Sequence, residues 1–400
     1  MGELIEAAFC RPRSVPPPSV EWGHVRRLRW SREQRLWWLL WSRCPGVGWV
    51  RLRALAAASG DLARAWQWPE PAFLAVPGWH GGLLPELGRF RAHWGSDPLA
   101  RLGLEPRVGL GLLVPGDPRW PEGLMEPEEP RPPLALWWQG RGSLWPALAR
   151  RRAVAVVGTR RPSSHGVAMA RSLGLALARA GWPVVSGLAE GIDAAAHAGC
   201  LDGGGLPVAV LGTPLERVYP RHHTRLQAEV GRRGLLISEQ PPAAAVRAGH
   251  FAQRNRLLVA LAAAVVVVEC PPGSGALHSA SHAWERGLPL WVVPADAGRA
   301  SALGSNRLLG TGATPLLSPE DLIRSLGAGP MASPQAPSQG NDGPDSNGRR
   351  RLLAALGAGA DLEQLSLSLG EEPSRLVARL LDLELAGLVR AEPGLRWHPC

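Results

Sequence analysis

Three short blocks of sequence place glycines, hydroxyls and arginines where an anionic ligand could bind. They are Gly158-Thr159-Arg160, Ser186-Gly187 through Gly191-Ile192-Asp193, and Phe251 followed by Arg254-Asn255-Arg256. Each block lies at or near the junction between an apolar run and a helical pattern. In an open parallel sheet that junction is where ligands bind, because helix N-termini present free amides there. The blocks therefore predict a site for phosphate groups.

The first block offers several donors to a phosphate oxyanion. Ser163 can cap the helix that follows, the Thr159 hydroxyl can donate, and Arg160 adds a charged guanidinium. The spacing is not the G-x-G-x-x-G dinucleotide fingerprint. Taken alone, this block also fits an ordinary β-α turn.

The second block is a glycine-containing loop between a strand and a helix. Gly187 permits a tight turn and Gly191 permits close backbone approach. Asp193 could serve as a general base or could tie the loop by hydrogen bonds. We favour the structural role, because no partnered histidine or second carboxylate is evident nearby in the sequence.

The third block combines an aromatic ring with cations and an amide. Phe251 for stacking, Arg254 and Arg256 for phosphates and Asn255 for an amide contact form a sensible set for single-stranded DNA. The alternative places Phe251 in the core and leaves the arginines solvated.

Two further loops add to this pattern. Ser274 and Gly275 belong to a Pro-Pro-Gly-Ser-Gly loop at a strand end, and Arg221 precedes His222-His223 in another loop, where phosphate contact is expected rather than metal. His278 and His282 have metal-ligand spacing, but no third ligand is evident, so we expect no metal. So many phosphate-binding loops on one sheet edge exceed the needs of one nucleotide and suit a nucleic-acid strand.

Composition limits the functional classes. The 400-residue chain has a net charge of +10, and all 44 basic residues other than histidine are arginine, which excludes P-loop NTPases and pyridoxal enzymes because both need a lysine. The excess charge suggests a polyanionic partner. The five scattered cysteines argue against disulfides and zinc ribbons. No apolar run is long enough to span a membrane and no secretion signal is evident, so we expect a cytoplasmic protein without a membrane partner.

The pattern along the chain predicts an α/β fold, an extended Rossmann-like, doubly wound and mostly parallel sheet, with smaller domains at both ends. We expect a loosely ordered tail (1–34), a helical domain (35–104), the Rossmann-like domain (105–326), a linker (327–348) and a winged-helix domain (349–400). The N-terminal domain holds a Pro-Gly-Val-Gly turn that fits a SAM-like or helix-hairpin-helix unit, although plain helix packing is the favoured reading. The acidic residues of the winged helix favour a protein-interaction role over DNA binding.

Short Val/Ile-rich runs without polar alternation predict strands that are buried on both faces. They occupy 154–158, 183–186, 208–212, 234–238, 264–269, 289–294 and 314–317. Residues 105–150 look like an extended lead-in and an edge strand.

The order of these motifs resembles that of the DprA/Smf family, the DNA-processing proteins of bacterial natural transformation. The matching residues run through the whole central domain: Gly158-Thr159-Arg160, Ser163, Gly166, Ser186-Gly187, Gly191-Ile192-Asp193, Tyr219-Pro220, Ser238-Glu239, Phe251, Arg254-Asn255-Arg256, Ser274-Gly275-Ala276-Leu277, Ala280, Gly304, Asn306 and Gly312-Ala313.

The resemblance implies a protein that binds single-stranded DNA cooperatively, forms a homodimer and loads RecA onto incoming DNA, helping to displace single-strand-binding protein. It implies no enzymatic turnover and no cofactor. The expected DNA-binding set consists of Gly158, Thr159, Arg160, Ser163, Gly166, Ser186, Gly187, Gly191, Arg221, Phe251, Arg254, Asn255, Arg256, Ser274 and Gly275, with no catalytic residue.

The chain departs from the family pattern at several positions. Ala252 replaces a usual proline, Ser279 a threonine and Ala295 a glycine, while His222 and His223 replace an asparagine or basic residue. These changes bear on affinity more than on function.

The runner-up hypothesis is an enzyme similar to the phosphoribohydrolases of nucleoside monophosphates. That family has a catalytic glutamate soon after its Pro-Gly-Gly loop, whereas the first glutamate after Gly275 is Glu285. A third hypothesis, a scaffold that binds only proteins, leaves the arginine-rich loops unexplained.

Overall fold

The computed structural model describes residues 30–102, 109–125, 132–332, 351–357, 359–385, 388–392 and 396–399. These residues fall into two compact units, divided between residues 332 and 333. Most of the predicted tail (1–29) and most of the predicted linker (333–348) lie outside the described residues.

One large mixed sheet organises the first unit. Its strands are β1 (Leu110–Leu113), β2 (Leu136–Gly140), β3 (Val154–Val157), β4 (Val184–Ser186), β5 (Pro207–Leu211), β6 (Leu235–Ser238), β7 (Ala264–Val267), β8 (Leu290–Val292) and β9 (Thr314–Pro315). The order across the sheet is β1-β2-β6-β5-β4-β3-β7-β8-β9. The seven strands from β6 to β9 in this order all pair in parallel with their neighbours. At the other end of the sheet, β2 pairs antiparallel with both β1 and β6. The predicted doubly wound, mostly parallel sheet is confirmed.

Helices cover both faces of this sheet. The α-helices of the described part of the unit are α1 (Arg32–Trp41), α2 (Trp49–Ser59), α3 (Leu62–Trp66), α4 (Leu84–Trp94), α5 (Pro98–Arg101), α6 (Trp145–Ala149), α7 (Ser164–Arg179), α8 (Ile192–Asp202), α9 (Thr224–Arg233), α10 (Ala248–Ala260), α11 (Gly275–Glu285), α12 (Leu303–Gly310) and α13 (Pro319–Leu326). No helix among the described residues combines the length and the apolar character needed to cross a membrane.

Strand β3 shows why the sheet needs two helical layers. Its four residues are all buried, and successive side chains point to opposite faces. Val154 and Val156 pack in one core with α7 and α8, whereas Ala155 and Val157 pack in the other with α10 and α11. A strand of this kind has no polar face, which is why its sequence reads as a continuous apolar run.

The region from 105 to 150 contributes two antiparallel strands rather than one. Strand β2 was expected from the sequence as the edge strand, but β1 pairs with its free side and forms the edge of the sheet instead. The sequence Leu110-Gly111-Leu112-Leu113 lacks β-branched residues and gives little strand signal.

Tryptophans and phenylalanines build much of the core of the N-terminal helices. Trp41 is fully buried and packs against Trp66, Phe73 and Phe90 at centroid distances of 5.4 to 6.5 Å. Arg91 lies over the ring of Phe73 at 4.9 Å. The buried tryptophans of this domain therefore serve packing.

The second unit begins its described part with a helix at 351–356. It continues with β10 (Ala360–Asp361), α14 (Leu362–Leu369), α15 (Pro373–Leu385), β11 (Val389–Glu392) and β12 (Arg396–Pro399). The strands form a small sheet in the order β10-β12-β11. Leu365, Leu376, Leu380 and Trp397 share its core. Three helices followed by a hairpin are the predicted winged helix.

Candidate functional site

A groove of about 740 Å³ lies above the carboxyl edge of the central strands. Strands β4, β3 and β7 are neighbours in the sheet, so the loops that follow them meet at one place. The groove is lined by residues 157–161 after β3, by Ala189 and Asp193 after β4, by one side of α10, and by residues 271–276 after β7.

Just over half of the expected DNA-binding residues line this groove. They are Gly158, Thr159, Arg160, Phe251, Arg254, Asn255, Ser274 and Gly275. The others do not line it: Ser163, Gly166, Ser186, Gly187, Gly191, Arg221 and Arg256.

Two residues that line the groove, Arg160 and Phe251, form a contact between a cation and an aromatic ring. The guanidinium carbon of Arg160 lies 6.0 Å from the centroid of the Phe251 ring. Phe251 also packs against Tyr219, with the two ring centroids 4.9 Å apart. Tyr219 is 49% exposed, and Arg160 and its neighbour Arg161 are also exposed. The exposed ring and the two guanidinium groups are available to a ligand from solvent.

Tyr219 was not among the expected site residues, although it is the only tyrosine of the chain. No aromatic residue lies near Tyr219 along the chain, because its ring partner Phe251 is 32 positions further on. The available signals were the match of Tyr219-Pro220 to the family pattern and the arginine that follows at position 221. Arg221 follows in a short turn and is itself exposed.

Arg254 is a buried charge in the groove wall. It is only 6% exposed, and its Nη1 lies 4.0 Å from Oδ2 of Asp193. Burial lowers the pKa of Arg254 and raises that of Asp193, while the attraction between the two opposes both shifts. The alternative in which this arginine is solvated is therefore wrong.

Asp193 ties the second loop, as the sequence suggested. Its Oδ2 accepts hydrogen bonds from the amides of Gly187 at 3.0 Å and Ala189 at 3.4 Å. A Cβ atom on Gly187 would lie 1.4 Å from Nη1 of Arg254. Gly187 is thus needed less for its turn than for the space that the guanidinium occupies.

Gly191 has a positive φ of +79°, which favours glycine. A Cβ atom there would lie 2.4 Å from the carbonyl oxygen of Thr159. This close approach joins the first loop to the second.

Arg256 points away from the groove. It is 3% exposed, and its Nη2 donates to both carboxylate oxygens of Glu239, at 2.5 and 2.6 Å. Burial raises the pKa of Glu239, and Arg256 opposes that shift. This ion pair fastens α10 to the end of β6.

Asn255 and Ser274 hold the opposite wall. The Asn255 side-chain amide donates to the carbonyl of Gly275 at 2.9 Å, which joins α10 to the start of α11. Ser274 caps α11, accepting from the amide of Ala276 at 3.3 Å.

The start of α7 is occupied by a carboxylate of the chain itself. Ser163 caps α7 by accepting from the amide of Gly166 at 3.1 Å, as expected. The amide and hydroxyl of Ser163 donate in turn to Oε2 of Glu269, at 3.1 and 2.8 Å. Burial raises the pKa of Glu269, but hydrogen bonds from Ser301 and Ser163 and the charge of Arg299 outweigh it, so the pKa is lowered.

The histidines form no metal centre in the part of the chain that the structure describes, where no group of three or more potential ligands is found. His223 instead contacts the carbonyl of Leu188 through Nδ1 at 3.0 Å. His222 lies 3.5 Å from Glu190. His282 contacts Glu285 at 3.0 Å.

Comparison with known proteins identifies relatives of both units. The family described as DNA recombination-mediator protein A matches residues 111–327, and the DprA winged helix domain matches residues 330–394. Protein Smf of Synechocystis is 33% identical over 404 residues, covering 92% of this chain and 99% of that protein. A putative DNA processing protein DprA of Mycobacterium tuberculosis is 34% identical over 309 residues, covering 74% of this chain and 79% of its own length.

A solved structure supports the same relationship. The X-ray structure of DNA processing protein A from Streptococcus pneumoniae aligns with a TM-score of 0.62 at 25% identity. The alignment covers 72% of this chain and 97% of that one.

Proposed function

The chain belongs to the family of DNA recombination-mediator protein A, the DprA/Smf family, and from that premise we propose that it binds single-stranded DNA along the groove. The observation that carries the proposal is the row of exposed Arg160 and Arg161 beside the Tyr219–Phe251 pair. Guanidinium groups attract phosphates, and an exposed ring can stack on a base whose face is free. Bases in a duplex offer no such face, so the pair favours single strands.

Each wall of the groove has a distinct role in this proposal. Arg160, Arg161 and Arg221 contact phosphates from the solvent side, and Tyr219 and Phe251 carry a base. The backbone at Gly158 and Gly275 allows the strand to approach closely. The remaining residues of the expected set act by shaping the loops: Ser163, Gly166, Ser186, Gly187, Gly191, Arg254, Asn255, Arg256 and Ser274.

We further propose that the protein acts in the cytoplasm as a homodimer that loads RecA onto single-stranded DNA during natural transformation, helping to displace single-strand-binding protein. The family description as a recombination mediator supports this role. A mediator must hold the strand by backbone and stacking contacts that do not depend on sequence, which is what arginines and aromatic rings provide.

We propose binding rather than turnover. Asp193, which lines the groove, already accepts two amide hydrogen bonds and lies beside Arg254, so it is poorly placed to take a proton from a substrate. The first carboxylate after Gly275 is that of Glu285, at the end of α11, and it contacts His282. The phosphoribohydrolase hypothesis therefore lacks the catalytic glutamate that this enzyme family needs. If the purified protein released free base from nucleoside monophosphates, the enzyme hypothesis would be supported instead.

The test compares an oligothymidine with a duplex of equal length by fluorescence anisotropy over a salt series. We expect tight, salt-sensitive binding that prefers the single strand. Tyr219→Ala should weaken it by roughly tenfold or more, because stacking contributes about 1–3 kcal/mol per base. Arg160→Ala should weaken binding and lower the magnitude of the salt slope by about 0.7.

Arg179→Ala supplies the matched control, because Arg179 is exposed at the C-terminal end of α7, on the amino edge of the sheet. Its loss changes the net charge equally and should leave the affinity within about twofold, since it removes only a distant screened charge. Equal losses in the Arg160 and Arg179 variants, or no preference for single strands, would refute the groove assignment.

RecA loading needs its own assay. Wild-type protein should speed RecA-dependent ATP hydrolysis on DNA coated with single-strand-binding protein, whereas Arg160→Ala should not. If the protein binds DNA tightly but does not stimulate RecA-dependent ATP hydrolysis, it is a DNA-binding protein and the mediator role is rejected.

A further inference from the structure

The Glu269 carboxylate lies where a doubly wound domain would place a ligand phosphate. The N-terminus of the helix after the first parallel strand is an anion site, because its amides are unpaired and its dipole is positive. Here that helix is α7, and Glu269 Oε2 takes the amide and hydroxyl of its N-cap residue, Ser163. Glu269 is 3% exposed.

Several neighbours lie close to this carboxylate. A Cβ atom on Gly166 would lie 2.2 Å from Oε2 of Glu269, so glycine is required for the carboxylate to reach the helix. Arg299 donates to the Ser163 hydroxyl at 3.4 Å and adds positive charge. The carbonyl of Glu269 also accepts from the Thr159 amide at 2.7 Å.

The first loop keeps few backbone donors for a ligand. The Thr159 amide goes to the Glu269 carbonyl and the Arg161 amide goes to the Thr159 hydroxyl, at 3.1 Å. The Ser163 amide goes to the Glu269 carboxylate. The charged side chains that line the groove from this loop are those of Arg160 and Arg161.

We propose that Glu269 is a built-in anion that occupies the phosphate position of α7 and thereby excludes free nucleotides from the groove. The inference rests on the proposed function, which it deepens by naming the ligand class. A nucleotide phosphate would have to expel a tethered, hydrogen-bonded carboxylate or lie beside a like charge. A DNA strand avoids both, because its phosphates are spaced along the exposed arginines and are bound several at a time.

The experiment replaces Glu269 by alanine and measures thermal unfolding against inorganic phosphate and thymidine monophosphate. The cavity left in Glu269→Ala keeps the Ser163 donors and Arg299, so an anion should enter and raise Tm by ~3 °C or more at 10 mM. Wild type should shift by less than ~1 °C under the same conditions. Glu285→Ala, which removes an exposed carboxylate on α11, controls for the change in net charge and for general salt effects.

A second variant protects the test against misfolding of the first. Glu269→Gln keeps the volume and can still accept from Ser163, but it removes the like charge. By calorimetric titration it should bind thymidine monophosphate about fivefold or more tighter than wild type does, a change worth about 1 kcal/mol. Unchanged nucleotide affinity in Glu269→Gln, or an equal phosphate response in Glu269→Ala and Glu285→Ala, would overturn the proposal.

The oligothymidine titration separates this inference from the proposed function. If wild type binds oligothymidine and the Glu269 variants bind the nucleotide about fivefold or more tighter than wild type does, both stand. If wild type fails to bind oligothymidine, the proposed function fails, and a gain of nucleotide binding in the variants would still identify Glu269 as the excluding group.

Discussion

At the scale of single residues, the groove depends on two buried charges as well as on its exposed arginines. Arg254 and Asp193 are both less than 10% exposed. Burying either charge without the other would destabilise the fold, because a buried charge needs an opposite charge nearby. Both residues could be identified from the sequence motifs, but their burial could not. The burial of Arg254 depends on Gly187, because the absence of a side chain there leaves space for the guanidinium.

Gly187→Ala should therefore damage the site more than a glycine substitution ordinarily does. The added methyl group overlaps Arg254 and must displace the guanidinium or the loop, at an expected cost of about 3 kcal/mol in the free energy of unfolding. Urea unfolding measures this cost, and anisotropy should show a parallel loss of oligothymidine affinity. Gly310→Ala on α12 is the matched control, because nothing lies within 4 Å of its added Cβ. Equal stability of the two variants would contradict the packing.

His197 makes the same buried region sensitive to pH. Burial, and then the charge of Arg254, lower its pKa from 6.5 to about 3, so the ring stays neutral in the folded protein while it titrates normally when unfolded. The unfolded state thus binds more protons below pH 6.5, and stability falls as the pH drops towards 3. Between pH 7 and pH 5 this residue should account for a loss of about 2 kcal/mol.

Urea unfolding of His197→Leu at both pH values isolates that contribution. The variant should lose about 2 kcal/mol less than wild type over the interval, whatever the other groups contribute. His165→Leu, at an exposed position of α7, should follow wild type. A His197 variant that loses as much stability as wild type would mean that the buried ring is not held neutral.

At the scale of elements, α10 is the part of the site that the sequence described least well. Its composition suggested a row of DNA contacts, yet only one side of the helix faces the groove, and Arg256 turns to Glu239 instead. Strand positions were easier to predict, because a buried parallel strand needs only a short apolar run. The contact of Ser163 with Glu269 joins residues 106 positions apart, and no local pattern could reveal it.

Arg256 and Glu239 form the pair that fixes α10 to the sheet. Arg256→Ala should cost about 3–5 kcal/mol in the free energy of unfolding, because it leaves the Glu239 carboxylate without its partner. The double variant Arg256→Met with Glu239→Leu should recover most of that stability, since an apolar pair needs no charge partner. Chemical denaturation of Arg256→Met, Glu239→Leu and the double variant measures the coupling.

Oligothymidine binding by the double variant then decides the role of Arg256. If the arginine acts only by holding α10, the stable double variant should bind within about threefold of wild type. A loss of tenfold or more in a stable protein would make Arg256 a direct DNA contact, as its sequence context first suggested.

At the scale of the whole molecule, positive charge is unevenly divided between the two units. Residues 333–400 hold seven arginines and nine side-chain carboxylates, which gives a net charge of −2. Since the whole chain has a net charge of +10, residues 1–332 have a net charge of +12. Exposed arginines of the groove belong to the larger unit. Long-range attraction of a polyanion is therefore expected from the first unit alone.

A protein that ends at Ala332 should accordingly keep its affinity for single-stranded DNA. We expect a Kd for oligothymidine within about threefold of the full chain and an unchanged salt slope, because the slope counts the phosphates that are neutralised. The first unit contains its own sheet and cores, so the truncated protein should fold, which circular dichroism verifies. Arg160→Ala in the truncated background should weaken binding as much as it does in the full chain. If truncation instead abolishes binding as strongly as Arg160→Ala, the winged helix reads DNA despite its net negative charge, and its favoured role in protein interaction has to be given up.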